Sequence, residues 1–259
     1  MDLGLRDKLA LVTGGSRGIG LRVARALADE GAHVAICGRT EETVEAAVAE
    51  LRARGVRAFG SVLDVTAPGE SERFVDESAA ALGGVDLLVN NAGGSFGGKF
   101  PAATIEEWQA TFDLNLFHAV RCTRSAVPHM RARGGGSVVT IASISGWRPG
   151  ASAQYATTKA SEIFLSASLA WELGADKIRV NTVSPGSIWW EGGGWDTWKL
   201  ANEEHYERFE RHDFPWGRLG SPEEVAAVTA MVLSPKAGWI NGANIPVDGG
   251  QAWGGVFTF

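Results

Sequence analysis

Thr13-Gly14-Gly15-Ser16-Arg17-Gly18-Ile19-Gly20 follows the apolar run Leu9 to Thr13 and leads directly into a stretch of helical period, Ile19 to Asp29, that carries Val23, Ala24, Ala26 and Leu27. Glycines at such a junction allow a tight turn and let a ligand approach the backbone. The free N–H groups that open the helix favour negative charge. The spacing is not the usual G-x-G-x-x-G of dinucleotide folds, and a glycine cluster alone describes any turn. Its place between a strand and a helix is what makes the turn through Gly14, Ser16, Arg17, Gly18, Ile19 and Gly20 a phosphate-binding candidate.

Outward from this turn, short β-branched or apolar runs alternate with longer helical stretches. Val34 to Cys37 precedes Glu41 to Arg54, and further runs follow at Ala58 to Leu63, Leu87 to Val89, Ser137 to Ile141 and Arg179 to Val183. Repeated βα units predict an α/β fold, a single-domain, Rossmann-type doubly wound parallel sheet with helices on both faces. No linker or low-complexity tract divides residues 1–259. Residues 1–150 are expected to be mainly the cofactor half, and 151–259 to hold a catalytic helix, a substrate loop and a C-terminal interface segment. Gly134 to Gly136 reads as a helix stop before a strand. The irregular stretch Ser187 to Gly217 is too long for an ordinary turn and rich in Trp, as lids and binding loops are.

With 259 residues, 45% apolar side chains and a net charge of -6, the chain gives no electrostatic reason to bind nucleic acid or anionic lipid. It has no signal-peptide pattern and no apolar run of spanning length, so a soluble, cytoplasmic protein is expected. Cys37 and Cys122 are too few for a disulfide framework and lack metal-ligand spacing. They read as small buried apolar residues, and no metal is expected.

The second strand ends in Val34-Ala35-Ile36-Cys37-Gly38-Arg39, about 20 residues beyond the glycine turn, where an acidic side chain would bind an adenosine ribose hydroxyl. No acid stands there. Gly38 leaves room, and Arg39 and Arg17 offer guanidinium groups that grip phosphate with paired hydrogen bonds, which favours NADP(H) over NAD(H).

Tyr155 and Lys159 are four residues apart in a predicted helix that continues through Phe164 and Leu169, so both emerge on one face. A nearby ammonium favours the phenolate and makes the phenol a tunable acid/base. Alone, the spacing also fits a packed Tyr beside a solvated Lys. Twelve residues upstream a strand ends in Thr140-Ile141-Ala142-Ser143-Ile144-Ser145-Gly146, at the edge where ligands bind in parallel sheets. A hydroxyl there can steady charge on a substrate oxygen. Ser143 is preferred to Ser145, although either can simply satisfy a turn. Val89-Asn90-Asn91-Ala92-Gly93 ends another strand at the same edge, with small residues that admit a cofactor.

These landmarks in order, TGGSRGIG, Asp64-Val65, NNAG, Asn115, Ser143, Tyr155-x-x-x-Lys159, Asn181, Pro185-Gly186 and Val247-Asp248-Gly249-Gly250, resemble those of the short-chain dehydrogenase/reductase family over nearly the whole chain. The resemblance implies that Tyr155 moves a proton to or from the substrate oxygen. It further implies that Lys159 lowers the Tyr155 pKa and holds the nicotinamide ribose, that Ser143 polarises the substrate oxygen, and that Asn115 serves a proton relay. Without it Asn115 reads as a polar residue in mid-helix. It assigns Asp64 and Val65 to the adenine, Asn90, Asn91, Ala92 and Gly93 to the adenosine ribose and the nicotinamide's back face, and Pro185, Gly186 and Ile188 to the nicotinamide. Relatives often carry a Thr five residues after the proline for the carboxamide. Trp190 stands here instead, leaving that contact to Ser187 or to the main chain.

On the substrate side, Trp189, Trp190, Trp195, Trp198, Tyr206, Phe209, Phe214 and Trp216 crowd the Ser187 to Gly217 segment, with Gly192 to Gly194 as a hinge. Such rings suit a hydrophobic substrate, and equally they anchor a loop to the core or a neighbouring subunit. The expected substrate contacts are Phe96, Ser145, Trp147, Gln154, Trp190 and Trp195. The apolar tail, Trp253 to Phe259, is expected at the interface of a homotetramer. The leading expectation is an NADP(H)-dependent interconversion of a hydrophobic ketone and a secondary alcohol. An epimerase or dehydratase of the same family, or a non-catalytic NADP-sensing protein, is the alternative.

Overall fold

The apolar runs form strands β1 (Leu9–Val12), β2 (His33–Gly38), β3 (Ala58–Val62), β4 (Leu87–Asn90), β5 (Gly136–Ile141), β6 (Ile178–Pro185) and β7 (Asn244–Val247). In the computed structural model, which describes residues 2–251, they make one parallel sheet in the order β3-β2-β1-β4-β5-β6-β7. No apolar run announces β7, because Pro246 interrupts it. At the edge of a sheet a missing N–H is tolerated.

Successive side chains of a strand point to opposite faces, and β1 divides its residues accordingly. Ala10 and Val12 join one buried cluster with Val34, Ile36, Val89 and Val139, under α1 (Gly18–Asp29), α2 (Glu41–Ala53) and α9 (Pro222–Leu233). Leu9 and Leu11 join another with Ala35, Cys37, Leu88 and Val138, under α3 (Glu70–Leu82), α5 (His118–Ala132) and α6 (Ala153–Glu172). The doubly wound Rossmann-type architecture follows from this two-sided burial. Cys37 and Cys122 are both buried free thiols, and burial pushes the Cys37 thiol up to about 12.

Two local expectations are corrected. The residues after β6 are not irregular: α7 (Gly194–Ala201) and α8 (Glu203–Asp213) form a helical pair. Trp195 and Trp198, and likewise Tyr206 and Phe209, are three apart and therefore share a helix face. Trp195 stacks on Phe209 at 5.0 Å, and Trp198 meets both Tyr206 and Phe209. The rings give two short helices the packing that their length alone does not supply. The second correction concerns Asn115. It lies in a π-helical turn, Asp113–Phe117, between α4 (Ile105–Phe112) and α5, a distortion that recurs at functional sites. The tail from Trp253 to Phe259, expected at an interface, lies outside the described residues.

β1 is flanked by β2 and β4, so chain order reverses there and opens a crevice at the carboxyl edge. The Thr13 hydroxyl accepts from the backbone N–H groups of Asn91 (2.9 Å) and Ala92 (3.0 Å) and lies 3.3 Å from Nε2 of His118. His118 is fully buried. Burial first, and then the Lys159 charge, pull its imidazole down to about 3. Folding therefore requires neutral His118, and its contribution to stability is present above its ordinary pKa near 6.5 and lost as the pH falls toward 3. In that window unfolding free energy should fall by about 1.4 kcal/mol per pH unit from this group. Denaturant unfolding across a pH series checks this, and His118→Gln should flatten the slope.

Candidate active site

A cavity of about 930 Å³ at the carboxyl edge of the sheet is lined by Gly14, Ser16, Arg17, Gly18 and Ile19 of the glycine turn and by Arg39, Asp64 and Val65 beyond β2 and β3. The same cavity reaches Asn91, Ala92 and Gly93, then Ser143, Tyr155 and Lys159, then Pro185, Gly186 and Ile188. Residues scattered over most of the chain thus share one space, because every contributing loop leaves the same edge of a parallel sheet.

The turn has an anion cradle's construction. Arg17 caps α1 without a side-chain hydrogen bond, and the helix's first turn holds no acidic residue, so its N–H groups stay available for negative charge. Asn91 Nδ2 donates to the carbonyls of Thr13 (2.9 Å) and Gly14 (3.2 Å), tying the turn to the end of β4. A side chain on Gly20 would strike both the Gly14 carbonyl and the Asn91 amide, so glycine there sets the close fit between helix and turn. Gly20 therefore serves the cradle from behind. The side chains of Arg17 and Arg39 are exposed at the cavity and form no close ion pair or hydrogen bond among the described residues, although the Arg39 charge acts on Asp64.

Around the reacting end, Ser143 Oγ accepts from the Ser145 N–H at 3.1 Å. Its own proton is left to donate elsewhere. Lys159 Nζ donates to the Ile141 carbonyl at 3.0 Å and to Glu162 at 3.0 and 3.1 Å, and lies 5.6 Å from the Tyr155 ring centroid. Asn115 Nδ2 donates to the carbonyls of Gly94 and Thr111, both at 2.7 Å, while its Oδ1 accepts from the Gly94 N–H at 3.2 Å. A side chain on Gly93 would come to 2.8 Å from Asn115 Oδ1 and 3.4 Å from Lys159 Nζ. The strand-end glycine is what lets these two groups close on each other.

Among the six expected substrate contacts, Trp190 and Trp195 line the cavity, and Phe96, Ser145, Trp147 and Gln154 do not. Gln154 is fully buried, and its Nε2 donates to the Phe96 (2.8 Å) and Gly98 (3.0 Å) carbonyls, so it pins the loop after β4. Phe96 and Trp147 are about four-tenths exposed, outside the cavity. Trp198 and Phe209 line the cavity in addition. Trp190 packs against Gly18 at the opening of α1, over the phosphate turn. Ser187 is held through its N–H (2.8 Å) and hydroxyl (3.0 Å) by the Gln251 amide. Three residues that the geometry brings forward, His118, Gln251 and Glu162, stand in no motif of the sequence. For Glu162 a signal was present, since an acid three residues after Lys159 on one helix meets it.

The fold, its crevice and this cradle make a site of the kind that Rossmann-type sheets offer to a phosphate-bearing ligand. A family model described as enoyl-(acyl carrier protein) reductase matches residues 14–252. Dehydrogenase/reductase SDR family member 4 of Oryctolagus cuniculus is 38% identical over 250 residues, 95% of this chain and 94% of that one. L-sorbose reductase from Gluconobacter frateurii, solved with NADPH and L-sorbose, superposes with a TM-score of 0.92 at 35% identity, covering 97% and 98% of the two chains. A 7α-hydroxysteroid dehydrogenase solved with NADH and 7-oxo glycochenodeoxycholic acid gives 0.90 at 31% identity, covering 97% and 96%. The chain belongs to the short-chain dehydrogenase/reductase family. It is an oxidoreductase of the ketoreductase and dehydrogenase kind. Among the described residues no helix is long and apolar enough to cross a membrane, and no group of His, Cys, Asp and Glu is arranged to hold a metal ion.

The burial of Gln154 gives a direct check on its role. Gln154→Leu should cost about 1–3 kcal/mol of stability by leaving the Phe96 and Gly98 carbonyls unpaired. Dinucleotide affinity, measured by titration calorimetry, should change by less than about threefold.

Proposed function

We propose that the protein interconverts a hydrophobic ketone and a secondary alcohol using NADP(H), with Tyr155 as general acid/base. The observation that carries this reading is the single cavity that joins an uncapped helix start, Ser143, Tyr155, Lys159 and an aromatic wall. When bound, the dinucleotide supplies hydride exchange with the carbinol carbon.

The chain's own residues supply the rest. Ser143, whose oxygen already accepts the Ser145 N–H, gives its proton as a hydrogen bond to the substrate oxygen and steadies charge there. Tyr155 delivers a proton to that oxygen in reduction and takes one in oxidation. Lys159 holds the nicotinamide ribose, and Asn115, fixed against Gly94, supports a proton relay through water. Gly14, Ser16, Arg17, Gly18 and Ile19 hold the pyrophosphate, and Gly20, which does not line the cavity, lets helix and turn close behind them. Asp64 and Val65 border the adenine, and Asn91, Ala92, Gly93, Pro185, Gly186 and Ile188 the sugar and nicotinamide.

Arg17 and Arg39, whose guanidinium groups form no hydrogen bond or close ion pair among the described residues although the Arg39 charge acts on Asp64, stand beside a strand end that lacks an acid and support NADP(H) over NAD(H). Trp195, Trp198 and Phe209 on the cavity wall support an apolar or aromatic substrate. Residues 1–150 act mainly as the cofactor half and 151–259 as the half that holds catalytic helix and substrate. Phe164 and Trp171, exposed on α6, support assembly into a homotetramer, and the buried free thiols of Cys37 and Cys122 support a cytoplasmic enzyme.

Acetophenone, α-tetralone and cyclohexanone, tested with NADPH and NADH by absorbance of the reduced nicotinamide, probe this reading. NADPH-dependent turnover is expected, and Tyr155→Phe should lower kcat by about a thousandfold while dinucleotide affinity stays within about threefold. Arg39→Asp should weaken NADPH binding by roughly tenfold or more and leave NADH little affected. Absence of Tyr155-dependent turnover across ketones and alcohols would overturn the assignment.

A further inference from the structure

Glu162 is a buried carboxylate to which the reaction above gives no part. It lies three residues beyond Lys159 on α6, is 1% exposed, and is not among the residues lining the cavity. Neither substrate nor dinucleotide would reach it. Burying an ion pair costs several kcal/mol of desolvation per charge, and an apolar residue of similar volume commonly serves core stability as well or better. Packing therefore does not account for an acid at this position.

Its geometry toward Lys159 does. The Lys159 ammonium, itself only 3% exposed, is straddled by both Glu162 oxygens at 3.0 and 3.1 Å and donates to the Ile141 carbonyl at 3.0 Å. The two carboxylate oxygens and the carbonyl match the ammonium's three N–H donors, and together they fix Nζ at the cavity that Lys159 lines. We propose that Glu162 is a positioning residue for Lys159, the fixed counter-ion that keeps the ammonium charged despite its burial and holds it at the edge of the cavity. For its catalytic consequence this rests on the assignment of Tyr155 and Lys159 in the proposed function.

The electrostatics agree with the geometry. Burial pulls the Lys159 ammonium down, but the Glu162 charge, then Tyr155, then the hydrogen bond to Glu162 outweigh it and hold Lys159 above the ordinary lysine range. Burial lifts Glu162 to about 6 against the pull of Lys159. The other titratable groups that face the pair are Tyr155 on the same helix and His118 at the start of α5. His118 is held neutral, and the Arg121 charge acts on it from further along α5. The remaining neighbours, Ser143, Asn115 and the Ile141 carbonyl, carry no charge. Glu162 is thus the counter-charge in contact with the ammonium.

Glu162→Gln keeps the volume and one acceptor but removes the charge, so a merely structural role would survive it. In the cofactor-free protein, acetic anhydride labelling near pH 8, located by mass spectrometry, reports the neutral fraction of Lys159. Exposed Lys177 serves as the internal reference. Lys159 should be acetylated about tenfold faster in the variant, the change expected for one unit of lost ammonium stability. Equal rates in the two proteins overturn the proposal. In turnover, kcat for alcohol oxidation should fall severalfold in Glu162→Gln, because the ammonium beside Tyr155 is no longer held in one place. An unchanged kcat also overturns it. If the wild-type protein oxidises no alcohol, the functional assignment falls, and the labelling still decides the pairing. Should Glu162→Gln fail to fold by circular dichroism, Glu162→Asp, which draws the charge back by one methylene, should raise labelling by roughly threefold. No increase there overturns the proposal as well.

Discussion

The lock between the ends of β1 and β4 is the constraint on which the rest of the molecule depends. Chain order reverses at β1, and a crevice between diverging loops is useful only if its two lips are fixed. Thr13 and Asn91 fix them reciprocally: the threonine hydroxyl accepts two backbone N–H groups from one lip, and the asparagine amide donates to two carbonyls of the other. Gly20 lets the helix close behind this lock, and Gly93 lets Asn115 and Lys159 close in front of it. Cradle and reacting end therefore share one rigid reference, as placing a hydride donor against a proton donor requires.

Beneath that lock the structure manages charge in a nearly water-free layer. His118, Lys159 and Glu162 are all buried, and each has a different solution. The histidine stays neutral, the lysine stays charged through its carboxylate, and the carboxylate is held by the lysine. Low local dielectric strengthens each of these interactions and makes any unpaired charge costly. The shared requirement binds α5, α6 and the end of β5 into one electrostatic unit. Asn115 reaches this unit through the π-helical turn that separates α4 from α5.

The aromatic segment after β6 serves packing and the cavity at once. Tyr206 and Phe214 are buried in a small cluster of their own, against which Trp195, Trp198 and Phe209 pack. Trp195, Trp198 and Phe209 also present surface to the cavity. The choice between anchor and substrate wall is thus not exclusive, because a large ring has faces and edges enough for both. Trp190 does something else: it covers the glycine turn, while Ser187 is already engaged by Gln251.

Local sequence was enough to specify the alternating βα architecture, the phosphate turn, the absence of an acid after β2 and the spacing of Tyr155 from Lys159. Each is a local matter: periodicity, helix spacing and turn chemistry are written within a few residues. The tertiary structure alone decided which candidates meet. Gln154, next to Tyr155 in sequence, turns into the core to hold the Phe96 loop, whereas Trp198 and Phe209 come to the cavity from helices that no local pattern announced. Thr13 meets Asn91, and Gln251 meets Ser187, across long stretches of chain. Such contacts depend on how loops leaving one sheet edge converge, and on which polar groups burial forces to find partners. Neither is encoded in the spacing of neighbouring residues.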